Sequence, residues 1–488
     1  MIARIAHRLA LPVIVAAMAA SLGAQAPDRT KPPVAGPPPS LTVPRIQKQA
    51  LSNGLPVWIV EQHEVPVAQV NLVLKSGSAD DPAGKYGVAA LTASMLMEGA
   101  GTRSSLDLAD AVDFLGADLS AGSSSDTSTV RLHAPVARLA DALPLMADVA
   151  LRPTFTQADL DRLRQQRLTS IVQARDDANT IAALGFARVL YGTAHRFGTA
   201  TMGTADTLRA FTTDDLRAFH TAAYRPDNAT LLVVGDVSPA SILPLLERQF
   251  GAWKAPSTPV AHRTQPAPPA RTRREVFLVD KPNAPQTQIR IGRVGVPRST
   301  PDYFPIDVTN TLFGGSFSSR LNVNLREEHG YTYGANSFFD MRLEAGPFTA
   351  FAGVQTDKTA ESLKEFFNEF EAIQKPVEAD ELDRARRYEA LGLPSGFEST
   401  GDISRRLEEL LVYNLPDNFF ARYVPNIEAV TAADVQRIAR TYLAANRMAV
   451  VVVGDRKTIE PAVRALNLGP LTVLTIDQIF GPAPTVGR

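Results

Sequence analysis

The sequence predicts an α+β protein made of two tandem homologous domains, each a mixed β-sheet with helices packed on one face. Three observations carry this prediction. The order of a helix opening at Thr212, the segment Tyr224-Arg225-Pro226, the apolar run Thr230–Val234 and Gly235-Asp236 recurs from Thr431 through Ala449–Val453 to Gly454-Asp455, 219 residues later. The same offset pairs Val57–Glu61 with Val276–Asp280, Pro66 with Pro285, Val70 with Ile289 and Leu72 with Ile291, so it holds at both ends of each copy. Repetition at a fixed period is the mark of a duplicated supersecondary unit. Finally, the 488 residues are 45% hydrophobic, enough to fill the cores of more than one domain.

Residues 1–26 are predicted to be a secretory signal. Arg4, His7 and Arg8 give a basic start, Leu9–Ala20 is an apolar run, and the small residues around Ala24 and Ala26 offer cleavage points, Ala24 the better because Pro27 follows Ala26. The run falls short of the ~20 residues that cross a bilayer, and no later segment is long and apolar enough to do so. Residues 27–44 form a Pro-rich arm. The chain has no cysteine, which excludes disulfides, a lipidated cysteine and thiolate metal sites. A signal followed by a cysteine-free chain points to the bacterial periplasm. The 50 basic and 51 acidic residues nearly cancel without a basic stripe, so nucleic acid is not an expected partner.

The first domain is assigned to residues 45–254. Within it Leu106–Leu115 has helical apolar spacing stopped by Gly116, and Asp159–Ala174 is a charged amphipathic helix. Ser362–Ile373 is taken as the counterpart of the latter in the second copy. Leu216, Phe219 and Ala223 recur as Val435, Ile438 and Tyr442 on one face of matching helices with threonine N-caps, and the β-branched runs that follow read as buried strands. Residues 255–274, rich in Pro, Thr and Arg, form an exposed linker, and residues 275–480 form the second domain.

Chemistry is scarce. His7, His63, His133, His195, His220, His262 and His329 include no pair at metal-ligand spacing along a helix. Gly84-Lys85 lacks the spacing and hydroxyl of a phosphate loop, and Gly314-Gly315-Ser316-Phe317-Ser318-Ser319 is not a nucleophile elbow. By itself Gly314-Gly315 suggests a turn with positive φ.

Two segments carry a resemblance. Gly87-Val88-Ala89-Ala90-Leu91-Thr92-Ala93-Ser94-Met95-Leu96-Met97-Glu98-Gly99 resembles the zinc helix of the insulinase/pitrilysin-type metallopeptidases, G-x-A-H-x-x-E-H-M-L-x-x-G, with Ala90, Ala93 and Ser94 where that family has histidine, glutamate and histidine. The stretch Arg167–Ala174, which corresponds to the family's third, glutamate ligand, contains no carboxylate. Alanine and serine provide neither zinc ligands nor a base for zinc-bound water. A weak metal site could draw only on carboxylates such as Glu98, or Asp176 and Asp177, and these read as solvated surface groups. The segment Asn310–Leu321 and then Leu325-Arg326-Glu327-Glu328-His329-Gly330-Tyr331-Thr332-Tyr333 is similar to the block of the same family that ends L-R-E-x-x-G-L-x-Y, with Tyr331 at the usual leucine.

The resemblance spans nearly all of residues 45–470 and implies a chain forming half of a clamshell. It makes Arg326 and Tyr333 substrate-binding residues, with the Tyr333 phenol donating to a peptide carbonyl or oxyanion at a zinc centre on another chain. It also implies that this chain holds no cofactor, and that zinc and the catalytic glutamate belong to a homologous partner, as in members divided like the mitochondrial processing peptidases. The expected role is the non-zinc-binding, substrate-handling subunit of a secreted heteromeric peptidase, with peptide as the other partner. The alternatives are an inactive peptide-binding or scaffold protein of the same fold and, behind it, a stand-alone zinc peptidase.

Overall fold

The computed structural model describes residues 42–484; the signal segment 1–26 and most of the Pro-rich arm lie outside the described residues. The first half runs β1 (Gln47–Ala50), β2 (Pro56–Glu61), β3 (Val67–Leu74), α1 (Val88–Met95), α2 (Ser105–Phe114), β4 (Asp118–Ser123), β5 (Ser128–Pro135), α3 (Leu139–Leu151), α4 (Gln157–Ala174), α5 (Ala178–Tyr191), α6 (Ala205–Ala210), α7 (Thr213–Ala223), β6 (Ala229–Gly235) and α8 (Pro239–Phe250). The second runs β7 (Glu275–Asp280), β8 (Gln286–Val294), α9 (Tyr303–Asn310), α10 (Arg320–Asn322), β9 (Thr332–Phe339), β10 (Pro347–Gln355), α11 (Thr359–Ala372), α12 (Ala379–Gly392), α13 (Thr400–Val412), α14 (Tyr423–Glu428), α15 (Ala432–Tyr442), β11 (Ala449–Gly454), α16 (Arg456–Ala465), β12 (Leu471–Leu474) and α17 (Ile476–Phe480). None of these helices is long and apolar enough to cross a membrane.

Each half builds a six-stranded mixed sheet, ordered β1-β2-β6-β3-β5-β4 and β9-β10-β8-β11-β7-β12. The five strands β2-β6-β3-β5-β4 match β7-β11-β8-β10-β9 in order, and the repeat reaches into the register. Val57 faces Leu231 across the parallel pair β2/β6 as Val276 faces Val450 across β7/β11. The helices ahead of these central strands start alike. The Thr212 hydroxyl accepts from Asp215 N and Thr431 from Asp434 N, each returning the aspartate to the cap backbone in a capping box, a device whose loss costs about 1 kcal/mol.

The second face of each sheet is closed by the other half. Strand alternation sends Leu231 and Val233 into one core and Leu232 and Val234 into the other. There, α13 lays Ile403, Leu407 and Leu410 over β6 and β3. Reciprocally, α5 lies on β11 and β8, where Val451 and Val453 join the core of the first half. Gly292 on β8 lets Phe186 of α5 approach the sheet; a Cβ there would meet the Phe186 ring and the Phe348 carbonyl. Burial on both faces is why β6 and β11 are unbroken apolar runs.

One assignment is corrected. Ser362–Ile373 lies on α11, which follows β10 as α3 follows β5, so it is the counterpart of α3. The true partner of α4 is α12, where Leu382-Asp383-Arg384 repeats Leu160-Asp161-Arg162 at an offset of 222. A lengthening by three residues ahead of α12 breaks the 219 register, and matching by charge alone picked the wrong helix.

Candidate functional site

The zinc-like segment forms α1, and a buried ion pair fixes where it starts. Asp81, fully buried, accepts from Gly87 N (2.7 Å) and Ala89 N (2.9 Å), which supplies the negative charge a helix N-terminus favours. Arg196 neutralises it, with Nε 2.9 Å and Nη2 2.8 Å from Asp81 Oδ2. The same guanidinium donates to the carbonyls of Thr199, Ala200 and Thr201. The loop after Gly198 is thereby tied to α1. Gly87 (φ +103°) and Gly203 (φ +87°) make the approach possible, since a Cβ on either would strike the backbone of the other strand of chain, at Met202 and Tyr86.

At the positions that the resemblance assigns to the metal ligands, Ala93 is buried, Ala90 offers a methyl group and Ser94 Oγ turns back to the Ala90 carbonyl (3.1 Å). Arg167 of α4 fills the space. Its Nη2 donates to Ala90 O (2.8 Å) and Ser94 Oγ (2.7 Å), and burial pushes the guanidinium down to about 10, which still leaves it cationic at neutral pH. A fixed cation lined by methyl groups and a hydroxyl is the wrong donor set for zinc. The nearby carboxylates are engaged elsewhere: Glu98 pairs with Arg162, Asp176 with Lys281, and Asp177 caps α5 through Thr180 N (2.7 Å). Among the described residues no group of three or more His, Cys, Asp or Glu side chains is placed to hold a metal ion. The histidines are dispersed; His63 pairs with Asp236, and His220 bonds the Ala150 carbonyl. Arg167 is the residue that sequence reasoning passed over. Its spacing of four from Leu163 and from Ile171, both buried on α4, was the available signal that it points inward.

The second block lies between α9 and β9. The chain there is helical but underwound into wider π-turns at Thr311–Gly315 and Val323–Glu328. Gly314 and Gly315 do not have the expected positive φ. They are small because the backbone packs tightly: a Cβ on Gly314 would meet Ser337, and one on Gly315 would meet Asn310. Asn322 then ties two pieces together, donating to Phe317 O (2.7 Å) and accepting from Ala335 N (3.2 Å) just past the irregularity in β9. Arg326 stacks on the exposed Phe317 ring (4.5 Å) and lies 3.3 Å from Glu327. Tyr333, 89% exposed, points away from the core. Phe317, Arg326 and Tyr333 are thus surface groups hung on one hydrogen-bonded frame. A guanidinium, a phenol and an aromatic ring can bind carbonyls, carboxylates and apolar side chains, but they cannot activate water.

Comparison with known proteins agrees with this layout. The family model for insulinase (peptidase family M16) matches residues 57–195, and that for the peptidase M16 inactive domain matches residues 210–388. An uncharacterized zinc protease of Streptomyces coelicolor is 26% identical over 84% of this chain and 90% of its own, and one of Mycobacterium tuberculosis is 26% identical over 88% and 98%. The crystal structure of a peptidase M16 inactive domain from Pseudomonas fluorescens superposes with a TM-score of 0.77 at 28% identity, covering 84% of this chain and 98% of that one. A protease from Helicobacter pylori has the same fold, with a TM-score of 0.77 at 22% identity over 84% and 99%. With both halves matched, a shared two-sheet architecture, and a zinc-like helix rebuilt around a guanidinium, the chain belongs to the insulinase family of peptidases, family M16.

Proposed function

We propose that this chain is the zinc-free, substrate-handling subunit of an exported, heteromeric M16 peptidase. The observation that carries the reading is the contrast between the two blocks: Arg167 occupies the space at Ala90 and Ser94, whereas Arg326 and Tyr333 stand at the surface. A homologous partner would bring the zinc and the glutamate that activates its water, and the two chains would enclose the peptide in a chamber. Arg326 would orient a substrate carbonyl or terminal carboxylate, and the Tyr333 hydroxyl would donate to the oxyanion as it forms.

The test is reconstitution with a secreted homologue that carries an intact H-x-x-E-H. The chain alone should not cleave peptides, and the pair should do so in a zinc-dependent manner. In the pair, Tyr333→Phe should lower kcat by roughly 100-fold, the usual scale for one lost oxyanion donor, and Arg326→Ala should mainly raise KM. Full activity in both variants, or chelator-sensitive cleavage by the isolated chain, would overturn the proposal. Peptide binding without cleavage beside every such homologue would instead favour the scaffold reading.

A further inference from the structure

Beside the rebuilt zinc-like helix lies a cavity of about 550 Å³, walled by α4, α5, the 198–204 loop and α17. Ile171, Leu184, Met202, Ile479 and Phe480 give it a largely apolar lining, and among the described residues no acidic side chain reaches it. Two guanidiniums do, Arg167 and Arg188. Each is satisfied only in part, and only by neutral groups. Arg167 donates from Nη2 to Ala90 O and Ser94 Oγ, while its Nη1 is buried with no protein partner. Arg188 donates from Nη2 to the Ile479 carbonyl (3.2 Å), while its Nε is buried with no protein partner. Burial lowers the pKa of both, the response of a cation short of counter-charge, although both stay protonated at neutral pH.

Two partly buried cations with no carboxylate between them among the described residues are an uncompensated charge. Nearby acids are held elsewhere: Glu98 by Arg162, Asp176 by Lys281, Asp177 by the α5 N-terminus and Asp477 by Arg175. The walls are also built to persist, because Arg196 holds the 199–201 carbonyls and Asp81 anchors Arg196. A planar guanidinium with free N–H groups is matched by a carboxylate, and the apolar remainder of the cavity by a hydrocarbon body.

We infer that this cavity is a binding site for an organic carboxylate with an apolar body, held at its acid end by Arg167 and Arg188. Two sources share that chemistry, the C-terminal residue of a peptide ending in a large apolar side chain and a free fatty acid. The inference concerns the chain by itself and stands whether or not a zinc-bearing partner exists.

Calorimetric titration of the full chain separates the cases. The probes are an N-acetylated tetrapeptide ending in free-acid phenylalanine, its C-terminal amide, decanoate and decanol. One of the two acids should bind, at least tenfold more tightly than its neutral counterpart, and the acid that does so names the source. Arg167→Met and Arg188→Met remove the charge while keeping an unbranched apolar stem and should each weaken binding at least tenfold. Ala183→Trp, which retains both arginines and fills the cavity from α5, should abolish it and covers the case in which an arginine variant fails to fold. The inference is overturned if neither acid binds at millimolar concentration, if the amide or the alcohol binds as well as the acid, or if binding survives Ala183→Trp.

Discussion

Raising the pH from 5 to 8 should destabilise this protein through one carboxyl group, Asp307. The residue lies on α9, directly ahead of the π-turn that leads to Phe317 and Arg326, and it is half-buried with its carboxyl group turned inward to Tyr423. Burial is the first reason its proton is held, and the Glu389 carboxylate beside it is the second; together they raise its pKa from 3.8 to about 7. One hydrogen bond works against this, since the Tyr423 phenol donates to the carboxylate form of Asp307 and offsets part of the shift. Tyr423 Oη lies 2.6 Å from Asp307 Oδ2 and 3.1 Å from Glu389 Oε2, and a phenol has one proton to give. Thr311 donates to the other oxygen of Glu389. Arg298 opposes the shift and Glu409 adds to it, without reversing the balance. The folded state therefore keeps a proton that the unfolded chain releases above about pH 4. Stability is greatest below that pH, falls as pH rises toward 7, and levels off above. At about 1.4 kcal/mol per pH unit, the loss is on the order of 4 kcal/mol in all and about 2 kcal/mol between pH 5 and pH 7. Asp307→Asn cannot ionise and still accepts from Tyr423, so its profile should lack this fall. Urea unfolding at pH 5, 6, 7 and 8 measures both proteins. Asp81, Asp126 and Glu369, whose burial also raises them, are common to both and drop out of the difference. Parallel profiles for the wild type and the variant would refute the reasoning.

Arg196→Met leaves the Asp81 carboxylate buried without its counter-ion and releases the 199–201 loop, so it should cost about 3–5 kcal/mol in urea or thermal unfolding; a loss under 1 kcal/mol would show that the pair is dispensable. Restoring the motif tests Arg167 directly. The triple variant Ala90→His, Ala93→Glu, Ser94→His should bind zinc at least tenfold more weakly than the quadruple variant that adds Arg167→Glu, because the triple keeps a cation in the coordination space. Metal competition titration reads the ratio, and equal affinities would mean that Arg167 does not occupy that space.

Local signals carried the fold well. The capping boxes at Thr212 and Thr431 and the aliphatic runs of β6 and β11 are short-range features, and each stands where its residues required. What the repeat could not reveal was who covers whom. An unbroken run such as Leu231–Val234 says that both faces are buried, but the exchange of α5 and α13 between sheets depends on the path of the chain in space. The misassigned α11 has the same origin: charge pattern is a weak locator once a three-residue lengthening shifts the register. At Gly314-Gly315 glycine was required, but for close approach to Ser337 and Asn310 in place of a left-handed backbone. That Ala90, Ala93 and Ser94 offer no zinc ligand was plain in the sequence; that the Arg167 guanidinium bonds to that face of α1 needed the geometry.

That guanidinium changes what the missing motif means. Replacing two histidines and a glutamate by alanine, alanine and serine removes most of the side-chain volume from one face of α1, and an interior does not leave such volume empty without penalty. Here Arg167 Nη2 lies within 2.8 Å of Ala90 O and 2.7 Å of Ser94 Oγ, so imidazoles at 90 or 94 would have to occupy the region it holds. The small residues make room for the arginine, and the arginine fills the room they leave. The four positions are thus one packed unit with a positive charge built into the protein, in place of one supplied by a metal. Restoring any single ligand would crowd the guanidinium without completing a ligand set. The same charge faces the neighbouring cavity, which is why the acid arms of the calorimetric titration should outbind their neutral counterparts.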